Sequence, residues 1–522
     1  MAKKEVVKKV GLQIQAGKAN PAPPVGTVLG PLGINLQEFC TKYNDATRDK
    51  MGDVVPVEIS VYDDRSFDFV IKTPPTSFLI KKYAKIQKGS VKGKNEIVAT
   101  LTEDQLKEIA EIKLPDLNCY DVEEAKKLVV EAGKKLLETG LIARTWGNVS
   151  ARISDTQFVI TPSGRAYDTL TPDEVVVVNI DDCSHEGDIK PSSEKGIHAD
   201  AYKHHPLVNF VIHTHQKAAT IVSITGMEIK NVYNEFKPVL GDYVPVAEYA
   251  MSTTNPLRKK VEKCMMMNPS CRAFMLMHHG TLCLGESFDQ AFEVAGALEK
   301  CCEKVIKDNY LRHSWDKTYS VDNKLNYFLN KENAGKMPEA ICDLGSSVRN
   351  GNIFTLTYDG GKKVDVDMTT GLAINGIAPK CAKIHRAIYA SQSCTMIKHV
   401  ANPYEVAVSC LDETMYPMID DFAQIVGVDV KCVPWIDGDT DECAKEIGKA
   451  IDGRNAVLIQ GNGALVTGNS DGDMQALDLI MEKGCEAQVD VSIFNRPHFV
   501  PKVECFLMRT VYLAKYSKQI NK

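Results

Sequence analysis

Residues 121–141 read DVEEAKKLVVEAGKKLLETGL, and the chain has one character before this stretch and another after it. Asp121 stands where an N-cap would, with Glu124 three residues on, and Gly140 is placed to end a helix. Val122, Ala125, Val129, Ala132 and Leu136 recur at spacings of three and four, and Leu128, Leu137 and Leu141 widen the stripe. The segment is therefore predicted to be an amphipathic helix with one buried face. Two modules flanking such a helix must share its single apolar stripe or compete for it.

The 522 residues are enough for roughly three or four domains. A composition of 44% hydrophobic and 25% charged residues excludes a fibrous or wholly disordered chain. Sixteen cysteines form neither a CxxC pair nor a regular framework, the opening segment is lysine-rich and polar, and no apolar run suits a membrane span. These features point to the cytoplasm and to no membrane partner. The net charge of −6 is uneven: residues 1–118 carry 18 Lys and Arg against 15 Asp and Glu and have no histidine, so the remainder is acidic. The asymmetry suggests that only the first part meets a polyanion.

In that first part VGLQIQ (10–15) alternates as a strand and is followed by a segment dense in Gly and Pro, where Pro23 and Pro24 fit a first helical turn. Asn35 is placed to cap a second helix through Phe39 and Tyr43, and residues 55–60 and 67–72 alternate as a hairpin around Asp63-Asp64-Arg65. A helix is expected over 77–86, a Gly-rich loop over 88–94 and another helix over 102–112. Lys81, Lys82, Lys85, Lys88, Lys92 and Lys94 occur with no acid until Glu96. Such a cluster neutralises phosphates, and equally it decorates a solvated helix face.

The stretches GKANPAPPVG (17–26), INLQEFC (34–40), PVEISVYDDRSF (56–67), IKTPP (71–75) and EIAEIKLPDLN (108–118) resemble the bacterial large-subunit ribosomal protein eleven family across residues 1 to about 133. The resemblance implies a stalk-base N-terminal domain over 1–72, whose proline-bearing helix, with Pro21 and Pro24, faces translation factors and stalk proteins at the GTPase centre. It implies a helical domain over 73–133 that grips large-subunit rRNA, through Thr73, Pro74, Pro75 and the six lysines. Its last long helix would begin at Asp121. The family's helix runs on into a Thr/Ser/Gly segment that contacts RNA, whereas here the chain departs from Lys134 onward.

Beyond the joining helix, RTWGNVS (144–150), QFVITPSG (157–164) and PSSE (191–194) offer backbone amides and hydroxyls of the kind that hold a phosphate, and equally read as turns. The stronger pattern is metal-binding. VNFVIHT (208–214) is an apolar strand ending in His213-Thr214-His215, and residues two apart on a strand face the same side. His279 follows the apolar stretch 273–277, and Glu194 offers an oxygen; three imidazoles and a carboxylate suit Zn2+. His278, His204 and His205 read as bystanders.

These residues in this order resemble the class II aldolase and adducin head family, most nearly fuculose-phosphate and rhamnulose-phosphate aldolases, over 121–313. The resemblance implies an α/β/α sandwich, a homo-tetramer with sites between subunits, and a sugar-phosphate substrate. By position it assigns one zinc to His213, His215 and His279 with Glu194, makes Glu194 the acid/base, and gives Gly147, Asn148, Ser163, Gly164, Ser192 and Ser193 to the phosphate. Related epimerases carry Asp where this chain has Glu194. The tyrosine serving the leaving aldehyde would be Tyr233, Tyr243 or Tyr249.

After a polar linker over 314–335 the pattern restarts. Ser347-Val348-Arg349 parallels Ser150-Ala151-Arg152, LTYDG (356–360) parallels ITPSG (160–164), and LIQGNGAL (458–465) parallels LMHHGTL (276–282). A second aldolase-like domain over 336–522 is expected, with its chemistry lost: Cys381 stands for Glu194, His399-x-Ala401 for His213-x-His215, and Asn462 for His279. It is read as structural, covering an interface in the first copy, or as a ligand-binding pocket. The whole is read as a multidomain fusion: a small α+β domain and a helical rRNA-binding domain, then two α/β/α aldolase-like domains, the first a zinc-dependent sugar-phosphate aldolase. The alternatives are a ribosomal protein with an inactive passenger, or an aldolase or epimerase whose N-terminal module arose by recombination or misassembly.

Overall fold

The structure, a computed structural model, describes residues 6–71, 73–86, 98–102, 105, 108–109, 122–142, 146–315, 339–436, 441–494 and 496–516. It divides into two units, Met1–Tyr120 and Asp121–Lys522.

The first unit is built on the antiparallel sheet β1 (Val6–Gln15), β2 (Val54–Tyr62) and β3 (Phe67–Ile71), in that spatial order. Strand β2 alternates as the period of two requires, burying Val55, Val57, Ile59 and Val61. Against that face lies the Leu36–Ala46 helix, with Phe39 and Tyr43 fully buried; the Glu38 amide donates to the Asn35 side chain at 3.1 Å, the expected cap. The Gly/Pro segment forms a short Val25–Leu29 helix with Pro24 at its N-cap, and Gly33 turns the chain at φ +70°. The following helix runs Thr76–Tyr83 and stops short of residue 86, with Lys85 at φ +55°. Lys88, Lys92 and Lys94, and most of the helix expected over 102–112, lie outside the described residues.

The joining helix is Val122–Glu138, and it belongs to the second unit. It buries Ala125, Val129, Val130, Ala132, Gly133 and Leu136 over β4 (Asn148–Arg152) and β5 (Gln157–Ile160). Gly133 lies so close to Tyr167 that a Cβ would overlap the ring. Lys135 adds cation–π contacts, 4.7 Å from the Phe288 ring and 4.4 Å from Phe292. Gly140, at φ +72°, ends the helix: its amide and that of Leu141 donate to the Leu137 and Leu136 carbonyls, both at 3.1 Å. Asp121 lies outside the described residues, and Val122, expected in the stripe, sits instead in an exposed first turn.

Two seven-stranded mixed sheets follow. The first adds β6 (Val176–Asn179), β7 (Phe210–Thr214), β8 (Val246–Ala247), β9 (Ala273–Leu276) and β10 (Gly280–Gly285), in the order β6-β5-β4-β7-β10-β9-β8. The second comprises β11 (Ser346–Asn350), β12 (Ile353–Tyr358), β13 (Lys362–Asp367), β14 (Met396–Val400), β15 (Cys432–Val433), β16 (Ala456–Ile459) and β17 (Gly463–Gly468), in the order β13-β12-β11-β14-β17-β16-β15. The orders correspond strand for strand, and in both sheets the one parallel pairing is at the same edge, β8 with β9 and β15 with β16. The repeat read in the sequence is thus a repeat of fold. A small core also joins the copies, formed by Ala423, Val500, Cys505 and Met508 of the second with Tyr249 and Met251 of the first. The helix Phe288–Trp315 runs into the expected linker, whose remaining residues lie outside the described ones. No described helix is long and apolar enough to cross a membrane.

Candidate metal centre

Three structural elements bring the candidate ligands together. His213 and His215 leave the end of β7, His279 follows β9 through His278 at φ +64°, and Glu194 holds the N-cap position of the Lys195–His204 helix. The apolar strands are buried throughout, which fixes where each ring emerges. His213, His279 and Glu194 are buried, and ligand atoms of His213, His215 and His279 lie within 4.8 Å of one another. Glu194 reaches His279 Nε2 at 2.8 Å through Oε1 and His213 Nε2 at 3.2 Å through Oε2.

Hydrogen bonding on the outer side of the His213 and His215 rings decides which of their nitrogens faces inward. His213 Nδ1 stands 2.8 Å from the Thr281 carbonyl oxygen, which only accepts, so Nδ1 carries the proton and Nε2 presents a lone pair. His215 Nδ1 stands 2.6 Å from Asp421 Oδ2, a carboxylate whose burial is outweighed by His215, Lys483 and His279 together, which hold it down to about 2. The Nε2 atoms of His213 and His215 then meet at 2.9 Å. A tetrahedral zinc ion, with bonds of ~2.0–2.1 Å, spaces its ligand atoms about 3.3 Å apart, so this donor set fits one. Burial pushes His213 down to about 3, leaving it neutral. Burial also opposes charge on Glu194 and His279, but their proximity overcomes it: Glu194 is held well below the usual carboxylate range, and His279 well above its ordinary value.

The phosphate-loop candidates are brought beside this cluster. Pro162 and Pro191 bridge the two loops, with the Ser163 amide donating to the Lys190 carbonyl and the Ser192 amide to that of Thr161. Those two amides are therefore already engaged; the hydroxyls remain the donors for a ligand. Ser192 Oγ accepts from the Glu194 amide at 3.3 Å, and Ser193 lines a cavity of about 150 Å3 with Glu194, Lys195, Asn255 and Arg258. Gly147 lies at φ +99° against the His213 backbone, and Asn148 Nδ2 donates to Glu194 Oε2 at 3.1 Å, so Asn148 orients the carboxylate. Of the tyrosine candidates, Tyr249 sets its ring edge-on to His278 with centroids 5.0 Å apart, its hydroxyl donating to Glu504. Tyr233 is turned away onto Asp308. His204 pairs with Glu262, and His278 Nδ1 donates to the Met418 carbonyl, both structural roles.

Behind Asn148 lies a set the sequence reading missed. His198 meets Asn148, and Ser150 Oγ bonds both His198 Nδ1 at 2.6 Å and the Tyr202 hydroxyl at 2.7 Å. The second copy repeats it: Ser347 Oγ meets His385 Nδ1 at 2.7 Å and the Tyr389 hydroxyl at 2.8 Å. The four-residue step from His to Tyr, shared by His198 and Tyr202 with His385 and Tyr389, was its sequence signal. Register confirms the rest of the correspondence, since His213 pairs with Leu282 on β10 as His399 pairs with Leu465 on β17. There the three-histidine set is not repeated among the described residues: His399 Nε2 faces the Asn462 carbonyl at 2.6 Å, and Nδ1 accepts from the Leu344 amide. Asp420, Asp421 and Lys483, which border the first copy's histidines from the second, carried no signal at all.

In the first unit, Lys82 pairs with Asp53 at 2.6 Å, while Lys81 and Lys85 remain at least partly exposed and Pro74 is buried. The basic helix is thus partly neutralised within its own unit.

The family model described as Class II Aldolase and Adducin N-terminal domain matches residues 127–306 and 346–489, more than half of the sequence, and the chain belongs to that family. Residues 10–67 match the Ribosomal protein L11, N-terminal domain, and 72–135 the Ribosomal protein L11, RNA binding domain. Similar solved structures include an L-fuculose 1-phosphate aldolase (26% identity over 41% of this chain and 98% of that one, TM-score 0.34). They also include the L-fuculose-1-phosphate aldolase from Thermus thermophilus (24%, 38% and 98%, TM-score 0.32). A third is the L-fuculose 1-phosphate aldolase from Glaciozyma antarctica (20%, 41% and 84%, TM-score 0.31).

Proposed function

We propose that the first aldolase-like copy is a zinc-dependent aldehyde-lyase that cleaves a sugar phosphate by a retro-aldol reaction. The observation that carries this reading is the convergence of the His213, His215 and His279 imidazoles on one point beside the Glu194 carboxylate. His213, His215 and His279 would hold the zinc, which would supply Lewis-acid polarisation of the substrate carbonyl. The chain's own residues do the rest. Glu194, ionised and held by Asn148, is the group that takes up and returns the substrate proton. Ser163, Ser192 and Ser193, with Gly147, Asn148 and Gly164, form the phosphate end, where hydroxyl donors set the sugar's position.

The test is cleavage of ketose 1-phosphates by the purified full chain, with zinc measured in parallel. Glu194→Gln is expected to keep most of its zinc and to lose turnover by at least about a hundredfold. Turnover near that of the parent would sink the assignment.

For the first unit we propose binding to large-subunit rRNA at the ribosomal stalk base, in the cytoplasm. The two L11 matches and the basic Thr76–Tyr83 helix support this reading. Affinity for an rRNA fragment should fall as salt rises, each phosphate contact adding about −0.7 to −0.9 to the log–log slope; binding indifferent to salt would contradict it.

A further inference from the structure

The three imidazoles differ in where their outer nitrogens go. His213 Nδ1 finds its acceptor within the first copy, on Thr281. His215 and His279 turn theirs to neighbouring residues of the second copy's Asp420–Ile425 helix. Asp421 Oδ2 stands 2.6 Å from His215 Nδ1, and Asp420 Oδ2 stands 3.4 Å from His279 Nδ1, at ion-pair distance but off the hydrogen-bond direction. Both carboxylates are buried, Asp420 at 1% exposure and Asp421 at 6%. The second copy adds Lys483, whose buried ammonium donates to the His215 carbonyl at 2.7 Å, and the helix is seated by its Asp420 amide on the His278 carbonyl at 3.0 Å. Buried acidic side chains are costly unless they are used.

We infer that the second copy, although stripped of ligands, is a working part of the first copy's metal centre: Asp421 is a positioning residue that turns the His215 Nε2 lone pair inward. The inference rests on the metal reading above. A carboxylate behind a ligating imidazole fixes its tautomer and orientation and raises its basicity, and its loss weakens metal binding by roughly 10–100-fold. The arrangement also gives a reason for the degenerate copy to keep its fold without its site: the helix before β15 must be held in place.

The test is metal affinity in the full chain, stripped of metal and titrated with Zn2+ against a chromophoric chelator, with Co2+ visible absorption as the report on ligand geometry. Asp421→Ala is expected to weaken Zn2+ binding about 10–100-fold and to alter the Co2+ bands. Asp421→Asn, which keeps an acceptor of the same shape and loses the charge, should fall between, and guards against a variant that fails to fold. Asp343→Asn, near the equivalent histidine of the second copy, should leave affinity unchanged. If the parent chain binds no zinc, the metal reading itself fails. If it binds zinc and both Asp421 variants match it within about twofold, with the same Co2+ spectrum, this inference alone is overturned.

Discussion

At Gly147 a Cβ would come within 2.5 Å of the His213 carbonyl oxygen, and the residue already sits at φ +99°. Gly147→Ala should therefore lower stability by about 1–3 kcal/mol and disturb the strand end that aims His213. Thermal melting with a zinc titration checks both effects. Buried neutral histidines set a pH dependence. Burial pushes His198 to about 3 and His385 to about 4, each bonded to a serine. Between those values and the unfolded pKa of ~6.5, the unfolded chain binds more protons than the folded one. The contribution of these residues is thus present above pH ~6.5 and is lost as pH falls through the folded values. At pH 5 each costs about 2 kcal/mol. Urea unfolding at pH 7.5 and 5.0 should show the loss, and His385→Asn should reduce it. The histidine cluster was legible because i, i+2 on an apolar strand is a specific pattern; Asp421 was not, because an acidic pair at a helix start is common and only the fold gives it a neighbour.

At the scale of the element, the Val122–Glu138 helix decides the architecture. The rRNA-binding match ends at residue 135 and the aldolase match begins at 127, so the same residues satisfy both families' patterns. The fold assigns the apolar stripe to the first aldolase-like copy, where Val129 is fully buried. Val129→Asp places a charge there and should destabilise the second unit by more than about 3 kcal/mol while sparing the first. Hydrogen exchange read separately over residues 6–71 and 146–315 would distinguish the two; equal loss of protection in both would show a shared helix. Periodicity announced that this helix has a buried face, but not against which strands, since an i, i+3, i+4 stripe looks the same to any partner.

For the whole molecule, the two units have separate cores, one around Phe39 and Tyr43 and the other spread over the two large sheets. Thermal unfolding should therefore be resolvable into transitions of which only one responds to metal. Zinc at about a thousand times its dissociation constant should add about 4 kcal/mol to the second unit, and a chelator should remove that gain. A shift in the first unit's transition would contradict the assignment. The two aldolase-like copies, by contrast, are tied by a shared core and by Lys217 with Glu486 at 2.8 Å, so they are expected to unfold together.

By itself the sequence determined the order of modules, the repeat, the capped helix of the first unit, the three histidines with Glu194, and the loss of that set in the second copy. Each is a local signal: a period, a cap, a spacing or a missing ligand. Tertiary structure alone decided which unit holds the joining helix, that Ser163 and Ser192 spend their amides on each other's loops, and that Ser150, His198 and Tyr202 form a buried set. It also decided that Asp420 and Asp421 stand behind His279 and His215. These are contacts between residues far apart in the chain, and the physical reason is the same in each case: side-chain type fixes what a group can bond, while only packing fixes what lies within reach.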